Sequence, residues 1–320
     1  MSYPLHPLII DAGARYGLHP SWQELKDLCE FHLFDIDQAE CERLQNKYKN
    51  HENIKIHHLG LSRNKEIHEY NEFSHKALNS LFEVQQDSIS KIDHMTVEFE
   101  VRERHSIKLD TVDNVFKEEK AQFLKLDVEG SELDVLCGAE KQLKNNILGV
   151  RSEVSFRRVF KNAPMFADIN DYLSSYGFEL VNLEYDGKGI ACSPYTLNDK
   201  YGYLVSTDGI WIKDPEIIFA EKNLNLLAQN IIYLSVFLFQ NKATDVAFQF
   251  LIKGLEKGIN FSLYQDNPLF RYLERKALIL LKELSYSPQF SYEQLDEMCI
   301  KIFGYHFPKA HMFYEKMDTL

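Results

Sequence analysis

The sequence lacks the features that mark several common classes of protein. Its five cysteines are scattered and form no C-x-x-C pair, so neither a zinc knuckle nor a disulfide framework is predicted and the thiols are expected to be reduced. The histidine and carboxylate spacings match no metal site, so no metal is expected. The most apolar stretch, Ile231 to Phe239, is far shorter than the roughly 20 residues of a spanning helix. No transmembrane segment is therefore predicted.

Positive charge is scarce as well. The 320 residues include 36 Lys and Arg against 48 Asp and Glu, for a net charge of −12. A domain that binds nucleic acid normally carries an excess of basic residues, so a nucleic-acid partner is not expected. The first residues contain no basic segment followed by an apolar run, which excludes a signal peptide. With 45% apolar and 26% charged residues, the chain is predicted to be a cytoplasmic enzyme or binding protein.

The apolar pattern changes once along the chain. From residue 7 to about 213, short apolar runs alternate with amphipathic stretches, which is typical of a parallel α/β sheet. Strands are also predicted at residues 95–101 and, as a final antiparallel pair, at 178–183 and 203–212. Beyond Asp214 the period becomes helical, over residues 224–240, 244–257, 267–285 and 292–303. We therefore predict an α/β domain at 1–213 and a small all-α domain at 214–320 that serves packing, capping or homo-oligomerisation.

The first predicted strand ends in a glycine-containing turn, DAGARYG, over residues 11–17. A dinucleotide site requires G-x-G-x-x-G, and neither register of these glycines supplies it, which disfavours a nicotinamide oxidoreductase. Asp11 at the start of the turn suits a ligand with a positively charged amino-acid end. Asp35 follows at the tip of the second strand, 22 residues after Gly13. An acid at this distance is predicted to accept the ribose hydroxyls of a nucleoside.

A central strand, FLKLDVEGSE at residues 123–132, carries charges where a buried parallel strand should be apolar. If the strand is extended, Lys125, Asp127 and Glu129 point to one face. Burying charges is costly unless they are paired or used, so we predict that Asp127 or Glu129 orients the substrate or acts as a base. Lys125 would keep Asp127 ionised, and Glu153, near the tip of the next strand, is a further candidate. The alternative is a purely structural Lys–Asp ion pair.

Three blocks of sequence together resemble the FkbM-type family of S-adenosylmethionine-dependent methyltransferases. They are residues 9–14 (IIDAGA), 106–113 (SIKLDTVD) and above all 123–139 (FLKLDVEGSELDVLCGA), with weaker echoes in Gly60-Leu61-Ser62 and Asn79-Ser80-Leu81. The resemblance covers about residues 7–213. It implies a Rossmann-like seven-stranded methyltransferase domain, S-adenosylmethionine as cofactor, and O-methylation of a hydroxyl on a sugar, glycan or similar small molecule.

The resemblance also implies site residues. Family members usually have Glu-Pro where this chain has Asp35-Ile36, and a small polar residue in place of Arg15. These departures motivate an alternative, a catalytically inactive nucleoside-binding or scaffold protein that acts through the helical tail. A cap over the substrate is expected from that tail or from residues 64–104. The cofactor-binding set implied by the matching positions is Asp11, Gly13, Ala14, Gly17, Asp35, Ser62 and Asp127.

Overall fold

The computed structural model describes residues 5–90, 95–184, 190–191, 203–287, 291–309 and 313–318. Among the described residues the chain forms two compact units, one of residues 7–214 and one of the residues from 215 onward together with Leu5 and His6. The predicted fold class is confirmed, because the first unit is built on a seven-stranded sheet and the C-terminal region is helical.

The seven-stranded sheet has the order β3-β2-β1-β7-β8-β12-β9. Strand β12 runs antiparallel to both of its neighbours, which confirms the predicted final antiparallel pair. The remaining pairs, from β3 to β8, are parallel. The strands of the unit are β1 (Leu8–Ala12), β2 (Glu30–Asp35), β3 (Ile54–His58), β4 (Gly60–Leu61), β5 (Glu66–Phe73), β6 (Val101–Asp110), β7 (Phe123–Leu126), β8 (Gly149–Ser155), β9 (Phe178–Glu184), β10 (Ile190–Ala191), β11 (Tyr203–Leu204) and β12 (Ser206–Lys213).

Helices connect these strands. The helical stretch that follows β7 is divided at Gly138, where a Cβ would lie 2.1 Å from the Ser62 carbonyl oxygen. The helices are a 3₁₀ turn at Pro20–Leu25, α1 (Gln38–Lys47), a 3₁₀ turn at Lys76–Leu78, α2 (Gln86–Ile89), α3 (Met95–Glu98), α4 (Val112–Val115), α5 (Glu132–Cys137), α6 (Glu140–Asn145) and α7 (Phe166–Ser175).

A second sheet, of order β4-β6-β5, is inserted between the third and fourth strands of the parallel core. The prediction of a strand at residues 95–101 was wrong, because residues 95–98 form α3 and β6 begins only at Val101. Phe99 between them is buried and packs edge-on against Phe73 and Phe160. A short apolar alternation does not distinguish a strand from a helical turn that buries one large side chain.

The core of the first unit lies against the central strands. Ile10, Leu124 and Val150 come from adjacent strands and are completely buried, and Val135 and Leu136 of α5 pack into the same cluster. These strands are covered on both faces, as parallel strands usually are, and β7 and β8 carry the buried cations Lys125 and Arg151 among their apolar residues. Their burial fixes the carboxyl ends of β1, β2, β7 and β8 along one edge of the sheet, where parallel α/β proteins place their ligands.

The C-terminal unit is helical, and its four predicted helices are confirmed within one or two residues. Asn223 and Asn267 cap the two longest helices by accepting hydrogen bonds from backbone amides, and Ser291 begins another with a capping box. No helix among the described residues is long and apolar enough to cross a membrane. The helices are α8 (Pro215–Phe219), α9 (Leu224–Gln240), α10 (Thr244–Glu256), a 3₁₀ turn at Phe261–Tyr264, α11 (Pro268–Leu284), α12 (Tyr292–Phe303) and α13 (Phe313–Asp318).

A stacked pair of histidines on β2 and β3 predicts a pH dependence of stability. His57 stacks on Phe34 and on His32, with 3.1 Å between His57 Nε2 and His32 Nδ1, and burial lowers the pKa of His57 to about 4. Since the folded protein holds the neutral ring, stability is present above the ordinary histidine pKa and is lost as the pH falls from about 6.5 towards 4. We expect this loss to be roughly 1–2 kcal/mol, allowing for solvent screening of a half-buried ring.

The measurement is the midpoint of urea unfolding at several pH values for the wild type and for His57→Phe. The variant should lose less stability than the wild type on acidification, because phenylalanine keeps the stack on Phe34 and cannot be protonated. His68→Phe, on an exposed part of β5, serves as the control. Parallel acid profiles for the wild type and His57→Phe would contradict the assignment.

Candidate active site

The loop after β1 is locked between two strands. The amides of Gly13 and Ala14 both donate to the Phe34 carbonyl of β2, each at 3.0 Å. Gly13 has a φ of +77°, and a Cβ on it would lie 1.7 Å from the carbonyl oxygen of Asp127. Only glycine fits this combination of backbone angle and close approach. The loop is therefore pressed directly against the residue that follows β7.

Gly17, the second glycine of the turn, lies close to the side chain of Tyr48. Gly17 has a φ of +97°, and a Cβ there would meet the Tyr48 hydroxyl at 2.4 Å. Tyr16 before it adopts a φ of +73°, which is unusual for a tyrosine. This conformation is held from both sides, because the Tyr16 amide donates to Glu40 and Lys47 donates to the Tyr16 carbonyl. The turn is thus fixed by α1 and by Tyr48 just beyond it.

A buried ion pair between Asp11 and Lys125 supports the loop after β1 from the protein interior. Asp11 is completely buried, and Lys125 Nζ lies 3.1 Å from its Oδ1. The same ammonium group donates to the Gly13 carbonyl at 3.2 Å and lies 3.4 Å from Asp127 Oδ2. Burial alone would lower the pKa of Lys125, but the carboxylates of Asp11 and Asp127 outweigh it and raise the pKa. Lys125 therefore stays charged and joins the loop to the carboxylate after β7.

Three carboxyl groups converge where β7 and β8 end. Asp127, Glu129 and Glu153 each place an oxygen within 4.8 Å of the others. The predicted strand alternation does not bring Glu129 there, since β7 ends at Leu126 and Glu129 has a φ of +53°. The turn after β7 brings Glu129 to the other two acids instead. Carboxylate oxygens at this spacing can also bind a divalent cation. The spacing of histidines, cysteines and carboxylates in the sequence did not predict such a site.

The turn that carries Glu129 is shaped by the next acid in the sequence. Glu132, the first residue of α5, accepts hydrogen bonds from the amides of Val128 and Gly130, at 3.0 and 3.1 Å. It therefore ties the loop to the start of the helix, and a carboxylate is well placed there with respect to the helix dipole. Ser80 closes the turn from the inserted segment, because its hydroxyl donates to the Glu129 carbonyl at 2.6 Å.

The environment of the acidic cluster favours bound protons. Burial, followed by the charges of Glu153 and Asp127, raises the pKa of Glu129 well above its ordinary value. Burial and the charge of Asp127 likewise raise the pKa of Glu153. Carboxyl groups with raised pKa values in a cleft are suited to taking up and releasing protons during a reaction.

Asp35 lies at the end of β2, as predicted, and is almost fully buried. Burial raises its pKa to about 6. One of its oxygens accepts a hydrogen bond from the Asp37 amide at 2.8 Å. Asp37 itself pairs with Arg15 at 2.6 Å, and Arg15 also donates to the Lys76 carbonyl at 2.8 Å. Arg15 thus connects the loop after β1 with the 3₁₀ turn of the inserted segment.

These elements enclose a cavity of about 160 Å³. Four of the predicted site residues line it, namely Gly13, Asp35, Asp127 and Glu129. The other six do not appear on its wall and lie in the structure around it: Asp11, Ala14, Gly17, Ser62, Lys125 and Glu153. Their assigned roles in cofactor binding or catalysis remain predictions. For Asp11 and Gly17 the contacts described above are structural, and Ser62 is buried against Gly138.

Sequence reasoning missed a large part of the cavity wall. Ser131 lies within the strongest sequence block and Asn79 within a weaker echo of a family motif, but neither residue was predicted to line the site. Arg15 appeared as a departure from the family pattern. The wall residues that were not predicted are Ala12, Arg15, Tyr16, Phe34, Ile36, Leu59, Gly60, Leu61, Lys76, Ala77, Asn79, Leu81, Val128 and Ser131.

A family model of the FkbM methyltransferase domain matches residues 11–180, just over half of the chain. The chain belongs to the FkbM methyltransferase family. The resemblance carried by the three sequence blocks is thereby confirmed, and S-adenosylmethionine is the cofactor that this membership implies. The nicotinamide alternative is correspondingly not supported. A search of curated proteins found no match to the sequence.

A comparison with solved structures found several that are similar to this chain. An FkbM methyltransferase from Methylobacillus flagellatus KT aligns with a TM-score of 0.41 and 16% identity, over 66% of this chain and 44% of that one. An rRNA methylase from Streptococcus thermophilus gives a TM-score of 0.33 and 10% identity, over 66% and 88%. The B. subtilis tRNA methyltransferase TrmK gives 0.33 and 11%, over 98% and 94%. This chain thus spans less than half of the FkbM structure's length.

The cavity suits S-adenosylmethionine in its set of polar groups. The cofactor combines a ribose, a sulfonium and an amino acid with charges of both signs. The cavity wall supplies the buried carboxyl of Asp35, further carboxyls at Asp127 and Glu129, and the cations Arg15 and Lys76. Both signs of charge are therefore present on one wall, as a zwitterionic ligand requires.

Proposed function

We propose that this FkbM family member is an S-adenosylmethionine-dependent O-methyltransferase that acts on a hydroxyl of a sugar, a glycan or a similar small molecule. The observation that carries the proposal is the convergence of Asp127, Glu129 and Glu153 beside the cavity. Methylation of a hydroxyl releases one proton, and carboxyl groups with raised pKa values are suited to accept it.

Each residue near the cluster has a distinct part in this proposal. Bound S-adenosylmethionine supplies an electrophilic methyl group on its sulfonium. Glu129 lines the cavity and is the first candidate for the base, with Asp127 as the alternative. Lys125 is a positioning residue that pairs with Asp127 and orients it. Glu153 lies within reach of both acids and would pass the proton onward.

The cofactor would be held by the wall residues nearest β1 and β2. Asp35 is placed to accept the ribose hydroxyls, which it does best when ionised. Gly13 lets the loop backbone approach the ligand without a side chain. Asp11 and Gly17 would contribute by shaping the loop, and Ser62 through its packing against Gly138.

The acceptor class is proposed from charge. The net charge of −12 and the acids in the cavity oppose a nucleic-acid substrate and suit a neutral polyhydroxylated molecule. We further propose a cytoplasmic location, consistent with the unbridged cysteines 29, 41, 137 and 299 among the described residues. The helical unit is proposed to serve packing, capping or homo-oligomerisation.

Calorimetric titration with S-adenosylmethionine, and with NAD as the control, tests the cofactor assignment. We expect micromolar binding of S-adenosylmethionine and none of NAD. Affinity should fall on going from one pH unit above to one unit below the Asp35 pKa of about 6, because protonation removes the negative charge and turns one of the two acceptor oxygens into an O–H donor. Failure to bind in folded protein would contradict the proposal and favour the scaffold alternative.

Methyl transfer from labelled cofactor to nucleotide sugars and glycans then tests the acceptor class, with an RNA oligonucleotide as the comparison. Measured at saturating cofactor, Glu129→Gln and Asp127→Asn should each lower the turnover of an accepted sugar, since the amides cannot accept the proton. Unchanged turnover in both variants would rule out a base role for either residue. Transfer to RNA alone would overturn the acceptor class.

A further inference from the structure

Two buried polar groups on the cavity wall have no hydrogen-bond partner among the residues that the structure describes. They are Asn79 Nδ2 and Ser131 Oγ. Asn79 is 7% exposed and Ser131 2% exposed, and both line the cavity. Buried polar groups are nearly always hydrogen-bonded, so a pair of unused groups on the wall of one cavity points to contacts with a ligand.

The orientation of the Asn79 amide follows from its other contact. Asn79 Oδ1 accepts a hydrogen bond from the Phe73 backbone amide at 3.1 Å. Since a backbone amide only donates, the oxygen must occupy that position and the NH₂ group the other. Asn79 therefore offers a pure donor to the cavity, fixed in place by the end of β5.

Asn79 and Ser131 lie on the two segments that meet at the turn carrying Glu129. Ser80, next to Asn79, donates to the Glu129 carbonyl at 2.6 Å and accepts from the Phe82 amide at 3.0 Å. Ser131 stands two residues after Glu129, at the start of α5, where its hydroxyl makes no cap. The unused donors therefore lie on the two segments that meet at this turn.

We propose that Asn79 Nδ2 and Ser131 Oγ bind the α-carboxylate of the methionine half of S-adenosylmethionine. The inference rests on the proposed function. A carboxylate supplies two oxygens that accept without donating, one for each group, and its charge strengthens both hydrogen bonds. The adjacent α-ammonium would face the carboxyls of Asp127 and Glu129 on the same wall.

The test compares the binding of S-adenosylhomocysteine, which has the α-carboxylate, with that of adenosine, which lacks it. Asn79→Asp keeps an oxygen for the Phe73 amide but replaces the donor with a negative charge, and Ser131→Ala removes only the hydroxyl. Loss of one charge-assisted hydrogen bond should weaken S-adenosylhomocysteine about tenfold or more in Ser131→Ala, and further in Asn79→Asp. Adenosine affinity should change less than about twofold.

Ser235→Ala is the matched control, because Ser235 Oγ is equally buried and unpartnered among the described residues but belongs to α9. It should leave both affinities unchanged. Equal weakening of both ligands by the cavity variants would assign the groups to the nucleoside half and overturn the inference, as would no weakening of either. If Asn79→Asp fails to fold, Ser131→Ala decides alone. If the wild type binds adenosine but not S-adenosylhomocysteine, the inference fails, and if it binds neither, the proposed function fails first.

Discussion

Alanine at Gly13 is expected to destabilise the fold by about 3 kcal/mol or more and to abolish cofactor binding. Two costs combine at this position. The φ of +77° is strained for any residue with a side chain, and the new methyl would lie 1.7 Å from the Asp127 carbonyl oxygen. Neither the loop nor the turn after β7 is free to move away, since the first is bonded to β2 and Lys125 holds both.

Gly258 provides the matched control for this prediction. It has a similar φ of +87°, but a Cβ there would meet nothing within 4 Å. Gly258→Ala should therefore cost only the backbone strain, about 1–2 kcal/mol, and leave cofactor affinity intact. Urea unfolding and calorimetry of the two variants measure both effects. Equal destabilisation by the two substitutions would show that the close approach at Gly13 carries no energy.

Replacement of Lys125 by methionine is expected to cost about 3–5 kcal/mol of stability. Methionine fills a similar volume but leaves the buried carboxylate of Asp11 without its counter-charge, and it releases Asp127 and the Gly13 carbonyl. The free energy of unfolding is the direct measurement. Cofactor binding should weaken as well, because the loop loses its support.

Lys55→Met is the control for the loss of a lysine charge. Lys55 pairs with Glu30 on the surface, where its side chain is 44% exposed, and its loss should cost less than about 1 kcal/mol. Adding Asp11→Leu to Lys125→Met should restore part of the stability, because an apolar pair has no unpaired charge. If Lys125→Met proved no worse than Lys55→Met, the ion pair would not support the loop.

The sequence was sufficient to predict the elements that depend on a pattern of neighbouring residues. Most strands of the parallel core contain a short apolar run, and the C-terminal helices have clear periodicity and caps, so both were predicted near their observed positions. Asp35 at the end of β2 and Asp127 after β7 could be predicted because parallel strands bring their carboxyl ends to one edge. Each of these inferences needed only a short stretch of chain.

The inserted segment could not be predicted in the same way. Strand β5 exposes most of its first residues, so it lacks an apolar face, and it forms because it pairs with β6 some 30 residues later. The contribution of Asn79 to the cavity depends on that pairing. Conversely, Asp11 belongs to the glycine-containing motif but its side chain points into the protein, where it pairs with Lys125. A motif does not show on which side of a loop a side chain lies.

The position of β12 in the sheet affects how the chain folds during synthesis. Strand β12 lies between β8 and β9, so β9 has no strand partner in the large sheet until residues 206–213 have left the ribosome. The buried guanidinium of Arg151 has the same dependence, because its carboxylate partners, Glu184 and Asp208, come from these two late strands. Until β12 has been synthesised, the large sheet is therefore incomplete and Arg151 lacks both of its carboxylate partners.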